Sequence, residues 1–568
     1  MDCETKKAAD GFYHPKTEKD IQCLVRKAYE EGLQVRCRGA AHSVALSIYT
    51  DPGEGDKPIP NKVSQEEPPE GPNINIMLDN LTKLEWDEKE KNVVVAEAGV
   101  HLGKDPRDPT GASTLENGLL YQAFKKGFGL NDLGGITHQT VSGFLMTGSA
   151  GGSLTYDLSE NIIGFKIIDG KGEIKWIDKD DEIFGAVSLS LGLLGIITKV
   201  KLKLRKTYNI TGQEVITLTE KDKCPIDLFG PGDDGKPSMR KFLEQTPYTR
   251  LLWWPQKKVN RVGIWQAERG PEPTPPDFKP VPYEEFEENF GGQLEQLVGA
   301  VFFTLLGNKG FFKTWGKLGK DFRQFKTNIK QIWQKKMGKF LAWLFSIIST
   351  GILGLIIFFV VLFFSIFKPL LLWLYPSIVG IFQPLTKEGK EKTFQDYYWR
   401  SLPMDNTADD ILIGTEFTEI FIPLQYTERA MQLLNELYVK EGYSATSFYS
   451  TELYAGYKSK SWMNPAYEEG EYSNGTFRID IFWYINNEGN PAGRAGYFKQ
   501  FWDLFMNNKI PFRLHWGKFI PDYDYKEWAN YYKSQFPRWD DFLDLRKERD
   551  PKNIFLTKYW KLRLLGEK

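Results

Sequence analysis

From Phe340 to Phe367 the chain runs 28 residues without a charge, FLAWLFSIISTGILGLIIFFVVLFFSIF. As a helix this segment is about 40 Å long, against a bilayer hydrocarbon core of roughly 30 Å. A buried core helix is the competing reading, but core helices are rarely so long or so uniformly apolar, and membrane contact is expected. Lys368 then interrupts, and PLLLWLYPSIVGIFQPLT continues to Thr386 with Pro369, Pro376 and Pro384. Immediately upstream lie Lys309, Lys313, Lys317, Lys320, Arg323, Lys326, Lys330, Lys335, Lys336 and Lys339 against only Asp321. Phe311, Phe312, Trp315, Phe322, Phe325 and Trp333 interleave with them. A basic, aromatic helix beside an apolar run suits anionic headgroups, and a cytosol-facing attachment is the expectation. A solvated charged face is the plainer alternative.

The rest of the chain is that of a folded protein of two large parts. Its 568 residues exceed the size at which one core stops growing. Lys and Arg (73) nearly balance Asp and Glu (74), so nothing global suggests a nucleic-acid partner. Cys3, Cys23, Cys37 and Cys224 show no CxxC and no framework spacing. Neither a zinc site nor a disulfide scaffold is expected, no metal ligand set stands out, and a reduced environment is the simplest reading. The start, MDCETKKAADGFYHP, has no apolar signal region. Asp51 to Pro72, Cys224 to Pro237 and Glu268 to Pro282 read as loops.

The first two hundred residues alternate strands with small-residue loops. Thr17 and Asp20 form a capping box for a helix whose Ile21, Leu24, Val25 and Ala28 share one face and which stops at Gly32. A strand over Leu33–Arg38 leads into Gly39-Ala40-Ala41-His42-Ser43. Further strands are expected at Ile74–Leu78 and Val93–Ala98, with a hairpin over Phe165–Ile177. A second loop, NDLGGITHQTVSGFLMTGSAGGS from Asn131 to Ser153, carries six glycines. Such density is costly in chain entropy, and close approach of backbone to a ligand would explain it. Neither GxGxxG after a strand nor GxxxxGK[ST] occurs, so a bound phosphate would be held by neither the Rossmann nor the P-loop device.

These two loops, with DEIFGAVSLSLGLLGIITKVKLKL (Asp181–Leu204), resemble the FAD-binding loops and closing segment of vanillyl-alcohol-oxidase-type flavoenzymes. FRLHWGKFIP (Phe512–Pro521) and FPRWDDFLDLRKERDPKNIF (Phe536–Phe555) narrow the likeness to the aldonolactone oxidases, a group including gulonolactone, arabinonolactone and alditol oxidases. The resemblance implies an α+β, two-domain, PCMH-type FAD fold: an FAD domain over 1–205, a substrate cap over 206–510 that includes the 309–386 membrane segment, and a C-terminal return over 511–568. It implies FAD held by Gly39, Ala40, Ala41, Ser43, Gly134, Gly135, Thr140, Ser142, Gly143, Gly148, Ser153 and Ile197, and covalently attached through His42. Neutral imidazole is the nucleophile such a link requires.

For the chemistry, the resemblance implies oxidation of a CH–OH group of a sugar lactone or polyol by hydride transfer to flavin N5. The electron acceptor would be oxygen, a cytochrome or a quinone. Glu452 takes the position of the family's strand glutamate and Lys518 that of the lysine in HWGK. Two residues after the glutamate, where the family has arginine, stands Tyr454. Residues i and i+2 of a strand share a face, so Glu452 and Tyr454 point together. Tyrosine carries neither fixed charge nor planar fork, so Lys518 acts alone or the substrate differs. His515 and Trp516 either orient Lys518 or pack. Because both flanks of the apolar run would build one catalytic body, a single crossing is excluded. Lys368 would sit inside the second span of a hairpin, so a re-entrant or monotopic insertion is favoured. Two other readings stay open: oxidation of a lipid-linked substrate, and a flavoprotein scaffold without turnover.

Overall fold

The computed structural model describes residues 3–567 except 64–66, 284–289, 308–309, 337–338, 406–413, 485–486, 488–489 and 491. Lys309 and the side chains of Lys317, Lys320, Asp321, Lys335, Lys336 and Phe340 lie outside the described residues.

Helix α1 (Glu18–Glu31) begins with the reciprocal Thr17–Asp20 capping box and ends at Gly32 in the left-handed conformation, burying Ile21, Leu24, Val25 and Ala28. Strand β1 (Val35–Arg38) pairs in parallel with β2 (Ile74–Met77). A five-stranded antiparallel sheet follows, built from β3 (Leu84–Trp86), β4 (Val93–Glu97), β5 (Ile162–Ile168), β6 (Ile174–Asp178) and β7 (Ile196–Lys203) in the order β3-β4-β7-β5-β6. Between β4 and β5 the second glycine loop contains the short helix α2 (Val141–Met146), capped by the Thr140 hydroxyl.

Apart from two short two-stranded ribbons, the remaining described strands make one eight-stranded antiparallel sheet. They are β8 (Asn209–Leu218), β9 (Tyr248–Trp254), β10 (Arg261–Arg269), β11 (Lys392–Tyr397), β12 (Thr415–Pro423), β13 (Thr451–Gly456), β14 (Thr476–Tyr484) and β15 (Arg513–Leu514), in the order β11-β8-β10-β9-β13-β14-β12-β15. Four helices interrupt this sheet between β10 and β11: α3 (Phe290–Gly307), α4 (Phe311–Lys336), α5 (Lys339–Ile366) and α6 (Lys368–Phe382). They form their own apolar cluster around Phe302, Phe325, Val361 and Tyr375, joined to the sheet through Trp254 and Tyr484. Among the described residues no single helix is long and apolar enough to cross a membrane. One bent pair, Thr350–Ile366 with Lys368–Phe382, meets at 116°.

The cysteine reading needs correction. Cys3 and Cys23 are joined in a disulfide, while Cys37 and Cys224 are free. The N-terminal segment folds back onto α1 and brings Cys3 to 5.9 Å, Cα to Cα, from Cys23, a proximity that no spacing rule announces. Cysteine usage therefore gives no support to a reducing environment.

Candidate active site

Three segments remote in sequence converge on one large cavity. The first is Gly39–Ser43, immediately after β1; the second is the Thr140–Gly143 turn; the third is the His515–Lys518 turn after β15. Including its open mouth, the cavity holds about 1510 Å³ of space free of atoms. Backbone approach is close wherever the segments meet. A Cβ on Gly39 would lie 2.5 Å from the Thr140 hydroxyl oxygen, and one on Gly517 would lie 2.9 Å from that of Ser43. Ala41 adopts φ 58°, a left-handed conformation that is uncommon outside glycine. The amide of Val44 donates to the Gly517 carbonyl at 3.0 Å, and the Trp560 indole donates to Ser47 O at 3.0 Å. The C-terminal return thus holds the first loop directly.

Of the residues expected to hold the cofactor, Gly39, Ala40, Ala41, His42, Ser43, Thr140, Ser142, Gly143 and Ile197 line this cavity. The others do not. Gly134 makes room for the Phe144 ring and Gly135 approaches Met404. Gly148 faces a separate small cavity, and the Ser153 hydroxyl accepts from the amides of Thr155 and Tyr156. Of the six glycines in the second loop only Gly143 lines the cavity; Gly134, Gly135, Gly148, Gly151 and Gly152 make room for neighbouring parts of the chain.

His42 is half-buried on the cavity wall. Burial, then the Arg107 guanidinium, pushes its pKa well below the ordinary value, so the ring is neutral near pH 7. Arg107 Nη2 lies 3.1 Å from His42 Nδ1. His101, Asp105 and His138 crowd the same wall. One ligand atom each from His42, Asp105 and His138 falls within 4.8 Å of the others, the spacing of a metal-binding trio that the sequence reading did not anticipate.

His515 and Trp516, adjacent in sequence, part company. His515 is buried at the cavity, its Nδ1 accepting from the Gly517 amide at 3.1 Å, and burial lowers its pKa to about 4. Trp516 points into the core against Tyr532, Phe536 and Trp539 and donates to Met463 O. It packs. Lys518 reaches the cavity with Nζ 4.2 Å from the Phe417 ring centre; burial lowers its pKa, while Glu419 and Asp480 oppose the fall.

Behind Lys518 lies a polar layer that the cross-strand register builds. Glu452 on β13 is opposite Asp480 on β14, which is opposite Glu419 on β12. His515 continues the row, its amide donating to Glu419 O. In the next row Tyr454 is opposite Arg478, and Arg478 is opposite Phe421. Tyr454 donates its hydroxyl to Glu452, as their shared face requires. The Arg478 guanidinium lies 5.1 Å from the Tyr454 ring centre. Its Nε and Nη2 reach one Glu419 oxygen at 2.9 and 2.6 Å, and its Nη1 reaches the carbonyls of Ala150 and Gly151. A buried cation therefore stands one strand away from the position where the family's arginine is missing. Burial raises the Glu419 carboxyl, but Arg478, His515 and Lys518 outweigh it and leave Glu419 ionised. Asp480 is held well above the carboxylate range by burial and then by Glu419; among the described residues its Oδ1 has no hydrogen-bond partner.

Comparison with known proteins sharpens the picture. Residues 404–563, which contain Glu452, Tyr454, Arg478 and Lys518, match the family model "D-arabinono-1,4-lactone oxidase". The D-arabinono-1,4-lactone oxidase of Kluyveromyces lactis is 25% identical over 271 residues, 46% of this chain and 42% of that protein. The Saccharomyces cerevisiae enzyme is 41% identical over 113 residues, 18% of this chain and 22% of that protein. The L-gulonolactone oxidase of Scyliorhinus torazame is 22% identical over 266 residues, 46% and 49% of the two chains. The chain is related to the aldonolactone oxidases. It spans about two fifths or less of the lactone oxidases from the two yeasts. Its fold as a whole is that of cholesterol oxidase from Brevibacterium sterolicum, with TM-score 0.60, 14% identity, and 98% of this chain and 94% of that chain covered.

Arg107, Glu419, Arg478 and Asp480 escaped sequence reasoning. A capped or repeated motif would have drawn notice to them, and none marks these positions. The importance of Glu419, Arg478 and Asp480 comes from register, and that of Arg107 from the approach of its loop to His42.

Proposed function

We propose that this relative of the aldonolactone oxidases is an FAD-linked oxidoreductase acting on a CH–OH group of a sugar lactone. The observation that carries the reading is the meeting of Gly39–Ser43, Thr140–Gly143 and His515–Lys518 on one cavity, with Glu419 and Asp480 acting on Lys518 and Glu452 next to Asp480 across the strands. The residues present suit FAD. Glycine walls admit an extended, polar cofactor without side-chain collision, and the neutral His42 ring is the nucleophile that a covalent link would require.

When bound, FAD supplies the two-electron acceptor for the substrate's hydride. The chain's own groups divide the rest. Lys518 places positive charge at the cavity, where electrons accumulate. Glu452, its carboxylate oriented by the Tyr454 hydroxyl, accepts the hydrogen bond or the proton of the substrate hydroxyl. Arg478 supplies from β14 the fixed positive charge that Tyr454 lacks, and through Ala150 and Gly151 it also pins the second loop. This division supports a retuned lactone site over a site without turnover.

The reading is tested by anaerobic titration of the purified flavoprotein with D-arabinono-1,4-lactone and L-gulono-1,4-lactone. Bleaching of the oxidised flavin band is expected. Flavin that is bound yet reduced by neither lactone would contradict the assignment. Reoxidation by oxygen, cytochrome c or a short-chain quinone then identifies the acceptor.

A further inference from the structure

The largest feature that the catalytic reading leaves unused is the outer face of α5 and α6. On α5, Ile352, Leu355, Ile356, Phe359, Phe363 and Ile366 recur at helical spacing, and all are exposed. Leu355 is 64%, Phe359 63% and Ile366 66% exposed; on α6 Trp373 reaches 71%. Elsewhere among the described residues the exposed large apolar side chains stand singly or in pairs, such as Leu115, Val281, Val439 and Ile174 with Trp176, which is ordinary for a protein surface.

The face adjoins a basic helix. Helix α4 packs along α5, with Phe311 and Trp315 each edge-on to Phe358. It presents Lys313, Arg323, Lys326 and Lys330 to solvent, and Asp321 is the one acidic residue between Lys309 and Lys339.

Connectivity limits what such a face can do. The chain leaves the large sheet from β10 and returns to it as β11, and both strands pair with β8. Entry and exit therefore lie together, on one side of any bilayer. The exposed stretch from Ile352 to Ile366 is about 21 Å long, short of a core of about 30 Å. The bend between α5 and α6 turns the chain back. At that bend the Lys368 ammonium donates to Leu306 O in the last turn of α3 at 2.8 Å, where the helix dipole favours a cation. The one charge within the apolar run thus has a partner inside the protein. On their other side the helices are anchored, Tyr375 donating to Phe448 O and the hydroxyls of Thr304 and Tyr484 lying 2.8 Å apart.

We propose that α5 and α6 are a docking surface for a bilayer bearing anionic headgroups, seated in one leaflet without crossing it, with the cations of α4 at the headgroup level. This inference is independent of the redox assignment.

The full-length protein, exchanged from detergent into phosphatidylcholine vesicles with or without one quarter phosphatidylserine, is followed by flotation. Anionic vesicles are expected to retain it at least tenfold better, with retention weakening at high salt. Lys326→Gln with Lys330→Gln should lower partition to anionic vesicles about 25-fold, near fivefold per cation, while leaving neutral vesicles unaffected. Phe359→Asp with Ile366→Asp should abolish flotation on both. An unchanged far-ultraviolet circular dichroism spectrum and unfolding midpoint in each variant show that the fold is intact. External protease should leave no fragment protected inside the vesicles. Equal binding to neutral and anionic vesicles would overturn the proposal. So would a fragment protected in the lumen, or a detergent-free dimer that the Asp variants dissociate, which would make the face a contact between copies of this chain.

Discussion

Replacing Arg478 by methionine keeps an unbranched side chain as far as about the Nε position and removes the guanidinium with its charge. Four hydrogen bonds go with it: two to one Glu419 oxygen and two to the carbonyls of Ala150 and Gly151. Glu419 is left ionised inside the sheet, and breaking a buried pair in this way costs about 3–5 kcal/mol, a large share of a typical stability of about 5–15 kcal/mol. Removing the second charge as well, in Arg478→Met with Glu419→Gln, should recover about 2–3 kcal/mol, because no unpaired charge remains. Urea unfolding followed by flavin release and by circular dichroism reads both values. The deficit also has a pH signature. In the native protein the Glu419 carboxyl is depressed, so its contribution is full above the unfolded value near 4.5 and is lost as pH falls through the lower folded value. In the variant the Arg478 contribution is gone and burial is opposed only by Lys518 and His515, so the carboxyl moves up. The deficit should therefore be largest at pH 7–8 and shrink toward pH 5 as Glu419 takes a proton. A cost under about 1 kcal/mol, or a double variant as weak as the summed singles, would refute the account of this pair.

Other consequences follow from the same geometry. His42→Ala should abolish flavin fluorescence that survives denaturation, while leaving flavin that elutes with the native protein. Gly39→Ala drives a Cβ to within 2.5 Å of the Thr140 hydroxyl, so the two loops must part. A flavin Kd raised about tenfold or more by fluorescence titration is expected, with little change in the far-ultraviolet spectrum. His515, held at about 4 in the fold, contributes stability that is full above pH 6.5 and lost as pH falls toward 4, up to about 3 kcal/mol; His515→Asn should flatten that part of the profile. Exchanging the cross-strand partners, Tyr454→Arg with Arg478→Tyr, should retain more lactone turnover than Arg478→Tyr alone, and equal losses would show that Arg478 serves only the Glu419 pair.

Much of the scaffold was legible because local chemistry decides it. Thr17, Asp20 and Gly32 punctuate α1 where the capping rules place them, and the strand before His42 follows from the alternation of Leu33, Val35 and Cys37 with polar residues and from the small residues after it. Glu452 and Tyr454 were legible as a pair because alternation along a strand is local. What stayed hidden is what register and chain return create. Arg478 lies 24 residues beyond Tyr454 and becomes its neighbour only when β13 pairs with β14. Glu419 joins them from β12, and the Cys3–Cys23 disulfide depends on a segment folding back over α1. Glycine density misled for a related reason: Gly134 and Gly135 answer to Phe144 and Met404, contacts that composition does not distinguish from a ligand cradle. The apolar run was legible as an unusual surface, whereas its sharp bend and the partner of Lys368 required the fold.

The most direct test of the central claim is the anaerobic mixing of the flavin-loaded protein with D-arabinono-1,4-lactone, followed by absorbance of the oxidised flavin. The account predicts full bleaching in the wild type and at least a hundredfold slower bleaching in Lys518→Met. A protein that purifies without flavin, or whose bound flavin stays oxidised with every lactone offered, would contradict it.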